Sequence, residues 1–306
     1  MKIILTGGTG FVGASLQSAL SQQGHEIVIL TRRPGQQTQK NQSRPKLRFV
    51  HWNPLEEGAW QEHLKDADAC INLAGEPIAA KRWTKTQKLK IIESRCDATQ
   101  ALVHAIQNLQ KKPKVLINAS AVGFYGPHGD EIITENEKPG SDFLAQTCKA
   151  WEAHAIRAQD FGLRVVRLRI GIVLEKGGGA LQKMIPPFQF FMGGPLGNSR
   201  QWMSWIHRDD VVGLILWALE NSQVSGALNA TAPNPMTMKE FAAILGQVMR
   251  RPSFAVVPAF VLKALLGEMS DLLLKGQRVI PEKALRLGYT FKYSSLESAL
   301  RAILFQ

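Results

Sequence analysis

The feature that most constrains this chain stands at its start. Thr6-Gly7-Gly8-Thr9-Gly10-Phe11-Val12-Gly13 follows a short apolar run, Ile3–Leu5, and precedes a helical pattern in which Val12, Leu16 and Leu20 share one face. Three glycines between a first strand and a first helix each meet a separate need of a phosphate cradle. Gly7 permits a tight turn, Gly10 lets backbone approach a pyrophosphate, and Gly13 lets the helix close on the sheet. The helix N-terminus then offers unpaired N–H groups to an anion. A glycine run alone says little, but at the first strand-to-helix turn it points to dinucleotide binding.

The rest of the chain supports such a fold. Strands are expected at His25–Thr31, Leu47–Trp52, Ala69–Leu73, Val115–Ala119 and Leu163–Ile170. Helices are expected over 11–23, with Gly24 as a stop, over 84–109 and over 142–159. Alternation of this kind defines a doubly wound parallel sheet of Rossmann type. Pro34 to Pro45, with four glutamines, reads as a mobile loop. Beyond Leu174 the glycines at 177–179 and 193–194 mark an irregular region. Helices follow at 211–221, 238–249 and 260–266, and Ser294 with Glu297 forms a capping box for a last helix over 296–304. The expected division is a dinucleotide-binding domain over 1–174, rejoined by about 203–232, and a smaller, mostly helical substrate region over 175–306.

Cofactor choice is read at the end of the second strand. An NAD site usually places a carboxylate there for the ribose 2′-hydroxyl. This chain has Leu30-Thr31-Arg32-Arg33, with no acid to repel a 2′-phosphate and two guanidiniums able to hold one. NADP(H) is the expected cofactor.

Composition narrows the partners. Lys and Arg number 37 against 25 Asp and Glu, a formal charge of +12 that favours anionic ligands. No helix-turn-helix, zinc spacing or basic-aromatic RNA signature accompanies it, so no nucleic-acid partner is expected. No His, Cys, Asp and Glu spacing suggests a metal. Cys70, Cys96 and Cys148 form no disulfide pattern, which suits a reducing, cytoplasmic setting. The N-terminal apolar stretch is too short for a signal peptide. No apolar run reaches a bilayer's width, so no membrane partner is expected. Phe254 to Leu266 comes closest, interrupted by Pro258 and Lys263. Oligomeric state is open between monomer and homodimer.

Several further stretches resemble the extended short-chain dehydrogenase/reductase superfamily: Asn72-Leu73-Ala74-Gly75, Ser120-Ala121-Val122-Gly123-Phe124-Tyr125-Gly126 and Trp205-Ile206-His207-Arg208-Asp209-Asp210. Gly75-Glu76-Pro77-Ile78, Lys81-Arg82-Trp83, Ser94-Arg95, Asp142-Phe143-Leu144, Trp151-Glu152, Gly194-Pro195-Leu196-Gly197 and Arg200-Gln201-Trp202 sharpen the resemblance to one atypical branch. That branch is labelled as nucleoside-diphosphate-sugar epimerases with a small C-terminal domain. Gly267-Glu268-Met269-Ser270 and Gly276-Gln277-Arg278-Val279 resemble that domain. The resemblance implies that Leu73, Ala74 and Gly75 pass over the cofactor with Thr6, Gly7, Gly10, Phe11, Val12 and Gly13. It implies a polarising hydroxyl at Ser120, and a substrate lined by Glu76, Lys81, Arg82, Arg95, Arg200 and Trp202.

The superfamily's general acid/base is a tyrosine, followed one helical turn later by a lysine. Lys149 stands at a plausible lysine position, yet Ala145 stands one turn before it, so the Tyr-x-x-x-Lys signature is missing. Tyr125, in the loop after the fifth strand, is the candidate replacement. Cys148 reads as a small helix residue, and His207 as a structural hydrogen-bonder. Two functions follow: an NADP(H)-dependent oxidoreductase or epimerase acting on a small polar, nucleotide-sugar-like substrate, or an NADP(H)-binding sensor without turnover.

Overall fold

A computed structural model of the chain describes residues 1–34 and 46–305. The loop expected over 34–45 thus lies, apart from Pro34, outside the described residues. Strands β1 (Lys2–Thr6), β2 (Glu26–Thr31), β3 (Leu47–His51), β4 (Ala69–Asn72) and β5 (Val115–Ala121) form one sheet. They are joined in it by two later strands, β7 (Arg164–Ile170) and β11 (Gly226–Ala230), β6 being a two-residue strand described below. All pairings are parallel, in the order β11-β7-β5-β4-β1-β2-β3. The order reverses between β1 and β4, and it is at the carboxyl ends of the strands beside such a reversal that ligands of open α/β sheets bind.

The strands form because both faces of the sheet are covered. Ile3, Ile4 and Leu5 are fully buried, and so are Cys70, Ile71, Leu116 and Ile117. On one face pack α1 (Gly13–Gln22), through Leu16 and Leu20, and α5 (Arg208–Glu220), through Val211, Leu214 and Ile215. The other face is covered by α2 (Lys85–Gln107) and α3 (Phe143–Ile156); α4 (Gly179–Gln189) belongs elsewhere. Capping sets the helix starts. The Thr84 hydroxyl accepts from Gln87 N at 3.1 Å, and the Asp142 carboxylate accepts from Ala145 N at 2.8 Å.

A third core lies between α4, α6 (Met238–Met249) and α8 (Leu296–Phe305), with Phe188, Trp205, Phe241, Leu245 and Leu300 at its centre. Here α7 (Ala259–Leu266) adds an outer layer. Short pairings tie this region to the sheet. β8 (Ile172–Glu175) runs parallel to β10 (Trp205–His207), and β9 (Trp202–Met203) pairs with β12 (Met236–Thr237). β6 (Ile132–Ile133) pairs with β13 (Arg278–Val279).

Three expectations need correction. The stretch after the glycines is not irregular: α4 forms over Gly179–Gln189 with Pro186 and Pro187 inside it, and the left-handed Phe191 follows its end. Gly226–Ala230 is a seventh sheet strand that its weakly β-favouring sequence, GALNA, conceals. The last helix starts at Leu296, so Ser295 rather than Ser294 flanks it, and a capping box stands instead at Thr237 and Glu240.

Candidate functional site

The glycine turn is built as its spacing requires. Gly7 has φ +67°, and a side chain there would lie 2.5 Å from the Leu73 carbonyl. A Cβ on Gly13 would meet Gly7 O at 2.2 Å. These approaches press the loop against the end of β4 and close α1 on the sheet. Gly10 N donates to Gly7 O at 3.0 Å, and Ala14 N to Gly10 O at 2.9 Å. The N–H groups of Phe11 and Val12, at the start of the helix, have no acceptor among the described residues. Two free donors at a helix N-terminus fit a pyrophosphate. The cradle therefore suits a dinucleotide, and Thr6, Gly7, Gly10, Phe11, Val12 and Gly13 are brought together with Leu73, Ala74 and Gly75.

Below the cradle lies a buried polar relay with no counterpart in the sequence reading. Thr6 Oγ1 donates to Asn72 Oδ1 at 2.5 Å, and Asn72 Nδ2 donates to Thr99 Oγ1 at 2.8 Å and Asn118 Oδ1 at 2.6 Å. Trp151 Nε1 completes it, donating to Thr99 at 2.9 Å. Every member is partnered, so the relay locks β1, β4 and β5 against α2 and α3. Its sequence signal is an asparagine in each of two otherwise apolar strands, at the end of β4 and in the middle of β5.

Arg32 and Arg33 directly follow β2 and are exposed, with no ion-pair partner among the described residues. No carboxylate terminates that strand. Phe11 carries a further contact: Gly178 and Gly179 lie against its ring, where a Cβ would come within 2.7 and 3.2 Å of ring carbons. The Arg208 guanidinium stands 5.6 Å from the ring centroid and pairs with Glu175 at 2.8 Å.

The expected catalytic residues are placed differently. Tyr125 is buried. Its hydroxyl donates to Asn229 Oδ1 at 2.6 Å and accepts from Arg169 at 3.0 Å, and burial pushes its pKa up to about 12. Lys149 is exposed, and Ala145 is fully buried. The face of α3 that meets the β5 loop carries Leu144, Cys148 and Glu152 instead. A Cβ on Gly123 would touch Leu144 Cβ at 3.3 Å; the Cys148 thiol interacts with Ser120 and the Ala121 backbone, and Glu152 holds Ser120. The positions facing the loop are thus Leu144 and Cys148, one residue earlier than the expected Ala145 and Lys149. Neither supplies an acid/base couple; burial pushes the Cys148 thiol up to about 11.

Ser120 is also buried. Its hydroxyl donates to Glu152 Oε1 at 2.7 Å, inside a cluster in which Arg169 grips both oxygens of Glu152 at 2.8 and 3.0 Å and Arg167 adds 3.0 Å. Ser120 can still accept through its oxygen, but its proton is committed.

Of the expected substrate residues, Lys81, Arg82 and Arg200 are exposed. Arg82 lies 3.3 Å from where a Gly267 side chain would begin, and Lys88 pairs with Glu268. The 76–84 segment therefore meets the C-terminal region. Glu76 donates through its N–H to Ser94 Oγ at 2.9 Å. Arg95 is not a free cation: it bonds the Glu76 and Ile91 carbonyls at 3.0 and 2.9 Å, beneath Gly75 and over Trp151 at 5.2 Å. Trp202 is likewise held, its Nε1 donating to Asp130 at 2.8 Å and Arg278 standing 4.5 Å over its ring.

A doubly wound sheet with a phosphate cradle at its first turn, extended by a helical C-terminal region, defines an extended dinucleotide-binding α/β protein. Residues 3–230 match the NAD dependent epimerase/dehydratase family, and residues 257–303 match a domain of unknown function, DUF1731. The chain belongs to the NAD-dependent epimerase/dehydratase family. A chloroplastic epimerase family protein SDR39U1 homolog of Arabidopsis thaliana is 44% identical over 306 residues, covering 99% of this chain and 87% of that one. Epimerase family protein YfhF of Bacillus subtilis (strain 168) is 44% identical, covering 99% and 98%. A crystal structure of human epimerase family protein SDR39U1 (isoform 2) with NADPH superposes with a TM-score of 0.90, 35% identity and full coverage of both chains.

Proposed function

We propose that this protein binds NADP(H) and uses it as an oxidoreductase or epimerase on a small polar, nucleotide-sugar-like substrate. The observation that carries the reading is the pairing of the closed glycine cradle with Arg32 and Arg33 at the end of β2, where an acid would otherwise stand. When bound, NADP(H) supplies or takes a hydride at the nicotinamide ring. Phe11 and Val12 N–H groups hold the pyrophosphate, and the two arginines hold the 2′-phosphate. The substrate is received between the β5 loop, the 76–84 segment and the C-terminal region, with Lys81, Arg82 and Arg200 offering charge to a diphosphate. Ser120, oriented by Glu152, accepts a hydrogen bond from substrate. The same fit supports the human relative's cofactor as this chain's own.

Parallel titrations with NADPH and NADH test the cofactor. Replacing both Arg32 and Arg33 by Ala weakens NADPH at least about a hundredfold, since charge-assisted bonds contribute about 1.5–3 kcal/mol each, and leaves NADH nearly unchanged. Equal loss for both nucleotides refutes the assignment.

One observation favours a second reading, an NADP(H)-responsive module without turnover: Leu144 and Cys148 occupy the face of α3 where a tyrosine and lysine would act. A nucleotide-sugar screen followed by nicotinamide absorbance separates the two. Under the enzyme reading, a substrate found this way loses turnover with Ser120→Ala while NADPH binding persists.

A further inference from the structure

The Phe254–Leu266 stretch, an apolar run of the sequence, is not used by the nucleotide site, and although Leu262 packs inward its phenylalanines do not. Phe254 is 71% exposed, Phe260 73%, and beside them Phe190 is 76% and Met192 69% exposed. The segments that carry Phe190, Met192 and Phe254 lie side by side, and α7, with Phe260, follows directly from them. Gly193 O accepts from Ala255 N at 3.1 Å, Pro195 O accepts from Val257 N at 3.1 Å, and the Arg251 guanidinium stands 4.4 Å from the Phe191 ring. Along 253–257 exposure alternates, with Phe254 and Val256 turned outward while Ser253, Ala255 and Val257 back onto the body. Phe191 adopts φ +60°, a left-handed conformation costly for an aromatic residue. It ends α4 so that three successive large apolar side chains, 190–192, stand in solvent.

Cations predominate along the segments that carry this surface, and the exposed acid that follows α7, Glu268, is paired with Lys88. No Asp or Glu occurs between residues 176 and 208 or between 241 and 267, whereas Lys183, Arg200, Arg250, Arg251 and Lys263 lie there and are exposed. Asp271, which shares a recess with Lys263, is already paired with Lys275 at 2.7 Å. Large exposed apolar side chains grouped on a basic ground mark an interaction site. A second copy docked face to face would oppose like charges. An anionic lipid leaflet satisfies both features: aromatic and aliphatic tips enter the headgroup boundary and the arginines and lysines meet lipid phosphates.

We propose that the surface formed by the end of α4, the 251–258 segment and α7 docks the protein on an anionic membrane leaflet. No helix among the described residues is long and apolar enough to cross a bilayer, so the contact is peripheral. The expectation of no membrane partner rested on span length alone, which does not address this mode. The proposal is independent of the cofactor assignment.

The test is flotation of the full chain with vesicles of phosphatidylcholine alone and of phosphatidylcholine mixed with phosphatidylglycerol. Wild type floats with the mixed vesicles and not with phosphatidylcholine alone. Phe254→Ser with Phe260→Ser lowers partitioning at least tenfold, a lower bound for the loss of two partly inserted rings. Arg251→Ala with Lys263→Ala lowers it about 25-fold, about fivefold per cation. All four positions are exposed, so thermal unfolding and NADPH titration of both variants stay at the wild-type values. Failure to float with the mixed vesicles overturns the proposal. So does flotation that the phenylalanine variant leaves unchanged, which would be attraction by net charge alone. A wild-type dimer in light scattering that the phenylalanine variant converts to monomer would assign the surface to a second copy and overturn it as well.

Discussion

Glu152→Ala probes the group that joins the sheet to the candidate site. The Glu152 and Arg169 side chains are 2% and 3% exposed, so bulk solvent does not screen the arginine when its partner is removed. The substitution deletes two bonds from Arg169, at 2.8 and 3.0 Å, one from Arg167 at 3.0 Å and one from Ser120 at 2.7 Å. The remaining contacts of Arg169 are to the Tyr125 hydroxyl, the Glu135 carbonyl and the faces of Phe124 and Tyr125, and none carries a formal negative charge. Breaking a buried pair by removing one partner costs about 3–5 kcal/mol, chiefly through the charge left unpaired. At about 2 °C per kcal/mol for a chain of this length, Tm falls by about 6–10 °C. Differential scanning fluorimetry reads this directly. The double variant Glu152→Met with Arg169→Met removes both charges and recovers most of the loss, because a buried pair replaced by apolar side chains is nearly neutral. A Tm loss under about 2 °C for Glu152→Ala, or a double variant less stable than the single, would refute the reasoning that the cluster is a paired, buried ion network.

Two more predictions rest on burial. Ala145→Tyr forces a ring into a fully buried position of α3, where overpacking costs about 1–3 kcal/mol or more; Tm drops and no reductase activity arises, whereas a gain of NADPH-consuming turnover would show that this position does face the nicotinamide. His207 sits between α5 and Tyr293, its ring centroid 3.9 Å from the tyrosine's, and its Nδ1 accepts from Asp209 N at 3.0 Å. Burial lowers its pKa below the usual 6.5. The unfolded chain therefore takes up this proton first, and the contribution of neutral His207 to stability is present above about pH 6.5 and lost as pH falls below it. Against His207→Asn, which keeps an acceptor at the helix cap, the wild-type advantage in Tm narrows between about pH 7.5 and 5.5; a difference independent of pH would show that the ring titrates as in water.

The nucleotide-binding half was readable because its determinants are local. A buried parallel strand is an apolar run, a cap is a Thr or Asp before a helix, and a phosphate turn is glycines at fixed spacing; Ile3–Leu5, Thr84, Asp142 and Gly7-Gly10-Gly13 each announce themselves within a few residues. What stayed hidden depends on partners far along the chain. Glu152 gives no sign that Arg169 and Ser120 will meet it, and Asn72 none that Thr6, Thr99 and Asn118 will. Gly226–Ala230 becomes a strand because β7 offers it an edge, not through its own propensity.

The misplaced lysine has a sharper cause. On a helix, i and i+4 lie together wherever the count begins, so spacing fixes which residues share a face but not which face meets the site. Ala145 with Lys149 and Leu144 with Cys148 satisfy the same rule, 100° apart. Lys149 attracts attention because a lysine belongs to the expected chemistry, yet a solvated lysine is what the outer face of any such helix carries. Glu152 was the better marker. A glutamate on the apolar side of α3, eight residues after Leu144 and four after Cys148, has to be paired if it is buried, and its pairing to the end of β5 fixes the register of the whole helix against the loop. The absence of a tyrosine and lysine couple is thereby a property of the face itself. No tyrosine and lysine couple on this face supplies a proton to the substrate, which makes Glu152→Gln a direct probe of turnover: it keeps an acceptor for Ser120 while removing the charge. Loss of turnover with NADPH binding intact would place the Ser120–Glu152 pair in the chemistry, and unchanged turnover would confine Glu152 to holding the fold.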